Sequence, residues 1–300
     1  MPRSIFWNSF IALALLMTQS CSNLSTKKIS SEHKVLQGSY EINSPDAKIY
    51  NGQVIWVRTS KDDLSCHLAA TSAQVIRAHD GSWGCLLPIP FRTTLGSKEV
   101  VVRRQEQVEE SVSIVISEGD YPREKISVDG KYVEPPKKVL KRIQQETKLL
   151  AEVYKKLWEP EQVDLNFRLP VNSDVTSKYG NRRFYNNIEK NFHSGTDFRA
   201  KTGTKIYSPA TARVELSQDL YFTGGTVILN HGYGIFTVYA HMSKVLAEVG
   251  KTVGAGDLLG LAGATGRVSG PHLHWGMNIN GEKVDPMSFM RLFNPNTKKN

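Results

Sequence analysis

Thirteen of the 23 glycines in this 300-residue chain fall between residues 203 and 276. Glycine inside a helix costs about 1 kcal/mol relative to alanine, whereas tight turns use its freedom to adopt positive φ. Short apolar runs stand between these glycines: "KIYSPATARVELS", "GGTVILNHGYGIFTVYAHMS" and "DLLGLAGATG". No helix-length periodic segment occurs between 166 and 285. The C-terminal half is therefore expected to consist of short strands joined by tight turns.

A second β region lies upstream. Over 38–120 the runs "KIYNGQVIWVRT", "AQVIRA", "CLLPIPF", "EVVVRRQ" and "SVSIVIS" alternate with turn residues such as Ser44-Pro45-Asp46 and Asp80-Gly81-Ser82. Repeated short strands with turns between them predict a small, immunoglobulin-like β-sandwich. Between the two β regions, Val139, Leu140, Ile143, Leu150, Val153, Tyr154 and Leu157 recur mostly at three- and four-residue steps. That spacing predicts a helix opened by Pro135-Pro136 and closed by Pro160, within a helical linker over 121–165. The apolar stripe implies packing against a neighbouring domain.

The N-terminus reads "MPRSIFWNSFIALALLMTQSC", with Arg3 ahead of eight apolar residues at 10–17. Such a run is too short to span a bilayer but suits a secretory leader, here 1–20. The passage into "TQSC" resembles a bacterial lipoprotein signal, which implies lipid on Cys21 and a membrane-anchored protein in the periplasm; Thr18 stands where such signals carry an aliphatic residue. Residues 21–37, rich in Ser and Lys, read as a tether, and 291–300 as a tail. Export places the remaining cysteines, Cys66 and Cys85, in an oxidising compartment, where one disulfide is expected. The adjacent His67, with His79, does not reproduce a usual zinc spacing around them.

The formal net charge is +9, with 40% hydrophobic and 22% charged residues. This composition suits a globular chain with a basic surface, attractive to anionic partners. No block of Lys and Arg interleaved with aromatics is present, which argues against nucleic acid as the partner.

Five of the eight histidines fall in the second β region. His193 precedes Asp197 by four residues in "HSGTDF", His241 stands in "FTVYAHMS", and His272 and His274 flank one leucine in "GPHLHW". On a strand the last two project from one face. His231, in "LNHGYG", sits at an expected hairpin turn and reads as structural. Imidazole nitrogen and carboxylate oxygen are good zinc ligands, and a catalytic zinc takes three protein ligands and a water. His193, Asp197 and one member of the 272/274 pair would complete such a set. The other member and His241 would then handle protons in a hydrolysis. Spacing does not assign the two roles within the pair.

Seven stretches in order, "SKYGNRR", "HSGTDF", "GTKIYSPATARV", "HGYGIFTVYAHMS", "VGKTVGAGDLLGLAGATG", "SGPHLHW" and "VDP", make residues 172–287 resemble the LytM/lysostaphin-type zinc metallopeptidases of peptidase family M23. The resemblance implies an antiparallel β peptidase domain over 166–290. It implies one zinc per chain on His193, Asp197 and His274, with His241 and His272 as catalytic histidines. It also implies a substrate, the peptide cross-links of bacterial peptidoglycan, with the D-alanyl–diaminopimelate bond favoured by the lipoprotein-like leader. The rival expectation is a non-catalytic relative that binds peptidoglycan or activates an amidase. Such proteins have typically lost one or more of these five residues, all of which are present here. The chain as a whole is expected to be mainly β.

Overall fold

The computed structural model describes residues 27–28, 40–59, 62–105 and 107–294. The leader, Cys21, most of the tether and residues 295–300 lie outside the described residues.

The upstream region is a sandwich of two sheets. One runs Gln107–Ser117, Gly96–Arg104, Leu64–Leu68, Thr71–Gln74; the other runs Glu41–Asn43, Val54–Thr59, Trp83–Pro88, Ile76–Arg77. Alternation sends Leu64, Cys66 and Leu68 inward to meet Ile55, Val57 and Leu87 of the facing sheet. Cys66 and Cys85 form a disulfide between the sheets, with Cα atoms 6.1 Å apart.

The strand Val54–Thr59 does not alternate, because both of its faces are covered. Ile55 and Val57 fill the sandwich core, while Val54 and Trp56 join the core of the C-terminal domain with Ile76, Ala78 and Leu86. Trp56 meets Phe293 edge-on at 5.6 Å, and the Asp285 amide donates to the Gly52 carbonyl at 2.7 Å. The sandwich is thus docked through apolar side chains, the contact that burial favours most strongly.

The linker departs from expectation at both ends. Arg123–Ile126, inside the stretch read as helical, is a strand that pairs in parallel with Arg182–Tyr185. The helix is Lys137–Val153, and it stops seven residues short of Pro160. Beyond it the carbonyls of Lys156 and Trp158 accept from Asn230 Nδ2 and the Tyr233 amide, at 3.2 and 2.9 Å. Those contacts draw the chain out along the sheet and replace the hydrogen bonds a continuing helix would make. The apolar contact comes from the C-terminal end of the helix, where Leu150, Val153 and Tyr154 rest on Leu216, Leu220, Ile228 and Phe236. Arg142 and Glu146 reach Asp219 and the Tyr221 amide through hydrogen bonds, while Leu157 is 80% exposed.

The C-terminal domain centres on a ten-stranded sheet. Its main path is Val175–Ser177, Gly195–Arg199, His272–Ile279, Ile235–Val245, Gly224–Asn230, Ala212–Leu220, Thr252–Val253, every neighbour antiparallel. Trp275, Tyr239, Phe198 and Ile206 are fully buried beneath it. A final helix, Pro286–Phe293, begins within the expected domain and runs into the expected tail. Asp285 caps it, accepting from the Met287 and Ser288 amides.

Candidate functional site

The register of two strands assembles the site. Gly195–Arg199 lies antiparallel to His272–Ile279 with Asp197 directly opposite His274. The period of two puts His272 on the same face as His274, and both rings turn toward the Asp197 carboxylate. His274 Nδ1 is 2.8 Å from Asp197 Oδ1, and His272 Nε2 is 3.8 Å from Asp197 Oδ2. His193, just ahead of the Gly195–Arg199 strand, brings its Nε2 to 2.9 Å from Asp197 Oδ1 and 3.0 Å from His274 Nδ1. A Cβ at Gly195 would stand 2.8 Å from His274 Nε2, so the glycine in "HSGTD" is what admits the ring.

The donor set fits a cation such as zinc. His193 Nδ1–H donates to the Lys178 carbonyl at 2.8 Å, which leaves a lone pair on Nε2. That lone pair faces the Asp197 carboxylate oxygen, acceptor against acceptor, and a cation between them satisfies both. His193 and Asp197 are 2% and 6% exposed, so water cannot substitute freely. Burial alone would raise the Asp197 carboxyl, but His193 and His274 outweigh it and hold the group well below the usual carboxylate range. Burial pushes the His274 imidazole down to about 4, against the partial offset of Asp197. Two imidazole nitrogens and one carboxylate oxygen, all able to point lone pairs at one place, match the open three-ligand pattern of hydrolytic zinc sites.

Asp197 is also held from behind. Its Oδ2 accepts from Arg183 Nη2 at 2.6 Å, and Arg183 Nε forms an ion pair with Glu124 Oε2 at 3.3 Å. Ser177 Oγ donates to Glu124 at 2.9 Å and lies 3.1 Å from His193 Nδ1. Arg183 stands in a stretch that the sequence singled out, although its role there was not legible. Glu124 had no signal at all, because a parallel strand borrowed from the linker brings it in.

His241 arrives by a bulge. Tyr239 and Met242 pair with Val227 and Gly225, so Ala240 and His241 together oppose Thr226. His241 takes φ of 65° there, and the strand continues past it to Val245. Bulges of this kind re-aim a side chain. His241 Nδ1–H donates to the Thr265 carbonyl and His272 Nδ1–H to the Gly270 carbonyl, both at 2.8 Å. A carbonyl only accepts, so each ring keeps its Nε2 lone pair. The two ring centroids are 4.8 Å apart, and His272 Nε2 is buried without a hydrogen-bond partner among the described residues. Burial, with the two neighbouring histidines, holds the His241 imidazole well below its ordinary value.

Glu124, Arg183, Tyr185, Asp197, Arg267 and His272 line a cavity of about 420 Å³ beside these groups. His231 is elsewhere, in the core, with Nδ1–H to the Thr211 carbonyl at 3.2 Å and Nε2 accepting from Thr237 Oγ1 at 2.7 Å. Its role is structural, in line with expectation. The site therefore unites His193, Asp197, His241, His272 and His274.

Residues 191–286 match the model of peptidase family M23. Among curated proteins, the chain is 36% identical over 123 residues to peptidoglycan DD-endopeptidase ShyA of Vibrio cholerae, across 40% of this chain and 29% of that protein. It is 32% identical over 128 residues to DD-carboxypeptidase/endopeptidase Mpg of Neisseria meningitidis, across 43% of this chain and 30% of that one. The matched region thus spans under a third of these relatives' length. Of solved structures, a Pseudomonas aeruginosa protein described as a candidate peptidase M23 aligns with TM-score 0.64 at 28% identity, covering 82% of this chain and 96% of its own.

Proposed function

Residues 191–286 belong to peptidase family M23, and from that premise we propose that the protein is a zinc-dependent endopeptidase hydrolysing the peptide cross-links of bacterial peptidoglycan, at the D-alanyl–diaminopimelate bond. One observation carries this reading: a buried His–Asp–His donor set shares a cleft with two further histidines whose Nε2 lone pairs are free. The relatives named DD-endopeptidases support the type of bond. The leader at 1–20 supports export to the cell envelope, with the lipid of Cys21 as the anchor in the periplasm.

His193 Nε2, Asp197 Oδ1 and His274 Nδ1 would hold one zinc per chain. Bound there, zinc supplies Lewis acidity toward the amide carbonyl and lowers the pKa of a water toward about 7. Arg183 keeps Asp197 aimed, and the Lys178 carbonyl keeps the His193 ring turned with Nε2 inward. His241 and His272, each fixed by a backbone carbonyl, present Nε2 to take up the proton of the attacking water, and the ring so protonated then donates Nε2–H to the oxyanion. The antiparallel sheet holds Asp197, His241, His272 and His274 on strands, with His193 just ahead of one of them, so little reorganisation accompanies reaction.

Purified protein incubated with cross-linked sacculi is expected to release uncross-linked muropeptides, and a chelator to stop the release. Zinc-loaded protein that leaves several wall chemistries uncut would sink the reading.

A further inference from the structure

Arg267 lines the same cavity as His272 and Asp197, yet its charge is unanswered. Among the described residues no Asp or Glu pairs with it, and the nearby Arg183 carries like charge. Its guanidinium lies 4.3 Å from the Tyr185 ring centroid and 4.9 Å from that of Phe222. Arg183, by contrast, is committed to Asp197 and Glu124. A half-buried cation without a counter-ion carries a desolvation cost, which a bound anion would offset.

The backbone beneath Arg267 is built to hold it. The Arg267 amide donates to the Phe222 carbonyl at 2.8 Å. Gly266, at φ +76°, lets the loop approach until a Cβ would stand 2.5 Å from the Gly224 nitrogen. Thr265, next in line, hydrogen-bonds the Gly225 amide at 2.9 Å and the Met242 carbonyl at 2.8 Å through Oγ1. The same Thr265 accepts the His241 Nδ1–H, so one three-residue loop fixes both a proton-handling histidine and the cation. Two aromatic rings lie against the guanidinium and Tyr185 also hydrogen-bonds it, so the N–H groups that remain can bond a planar anion.

We infer that Arg267, on its Tyr185 and Phe222 platform, is a specificity subsite that binds a free carboxylate of the cross-linked peptide beside the scissile bond. This rests on the endopeptidase reading above. A carboxylate matches the guanidinium edge through two parallel hydrogen bonds, whereas a carboxamide at that place offers one acceptor and no charge. The subsite therefore discriminates between peptides with free and amidated carboxyl groups.

The test uses zinc-loaded full-length protein and two synthetic cross-linked peptides that differ only in a carboxylate or carboxamide flanking the cleaved bond. The wild type is expected to favour the carboxylate about 10- to 100-fold in kcat/KM. Arg267→Gln is expected to bring the ratio near one, with Arg267→Lys between. Binding of the carboxylate-bearing cleavage product, measured by calorimetry, is expected to weaken by a similar factor in Arg267→Gln. A wild-type ratio near one, or a ratio that survives in Arg267→Gln, overturns the subsite while leaving the peptidase reading intact. If Arg267→Gln fails to fold, an unchanged ratio in Arg267→Lys overturns it instead. A wild type that cuts neither peptide overturns the endopeptidase reading itself, and the subsite with it.

Discussion

Gly195 and His274 touch so closely that no side chain fits between them. A Cβ at Gly195 would stand 2.7 Å from His274 Cε1 and 2.5 Å from the Trp275 carbonyl oxygen. The imidazole is therefore seated by an absent methyl group on the neighbouring strand. Gly195→Ala is expected to displace the ring, to lower zinc affinity about 10- to 100-fold and to cost about 1–3 kcal/mol of stability. Chelator competition and thermal melting measure the two effects. Unchanged zinc affinity would show that His274 does not depend on this contact.

The two members of the histidine pair are expected to separate under mutation. His274→Ala should lose zinc and activity together, because a donor atom is gone. His272→Ala should keep its zinc and lose about 10²- to 10⁴-fold in turnover, the usual range for a group that moves protons. Metal analysis beside a cross-link cleavage assay distinguishes them, and the reverse pattern would exchange their roles.

Arg183 connects Asp197 to Glu124, so the metal set is expected to feel both. Arg183→Gln removes the 2.6 Å hydrogen bond to Asp197 Oδ2 and should weaken zinc binding about 10- to 100-fold. Glu124→Gln should give a smaller loss in the same direction, since its carboxylate acts through Arg183 and Ser177. Zinc affinities identical to wild type in both variants would remove the linker strand from the site's support.

Acid is expected to destabilise the fold through His231. Its ordinary value is 6.5, and burial pushes it down to about 3, with a small opposing effect from the Thr211 carbonyl. Below 6.5 the unfolded chain takes up a proton that the folded protein refuses. Stability from this residue is therefore full above about 6.5 and is lost as pH falls toward about 3, at up to about 1.4 kcal/mol per pH unit. Urea midpoints of metal-free protein between pH 7.5 and 5 should fall less steeply in His231→Gln than in wild type. Equal slopes would show that another group dominates the acid limb.

Glycine spacing, the absence of helical periodicity after 166 and the alternating runs before 120 were enough to specify a mainly β chain in two β regions. The pattern also contained the five site residues, because ligand and proton-handling chemistry permits few residue types. Strand alternation put His272 and His274 on one face from the sequence alone, yet left them interchangeable. Register decided between them in geometry: pairing Asp197 with His274, and not with His272, brings one ring to 2.8 Å and leaves the other at 3.8 Å. The bulge that aims His241, the end of the helix at Val153 and the recruitment of Glu124 were likewise beyond local pattern. Each depends on a hydrogen bond or ion pair to a residue distant in sequence: His241 to Thr265, Lys156 to Asn230, Glu124 to Arg183. Local sequence sets which conformations a segment can adopt and which face is apolar. Long-range contacts, whose partners no short window contains, select among those conformations and turn a set of suitable side chains into a site.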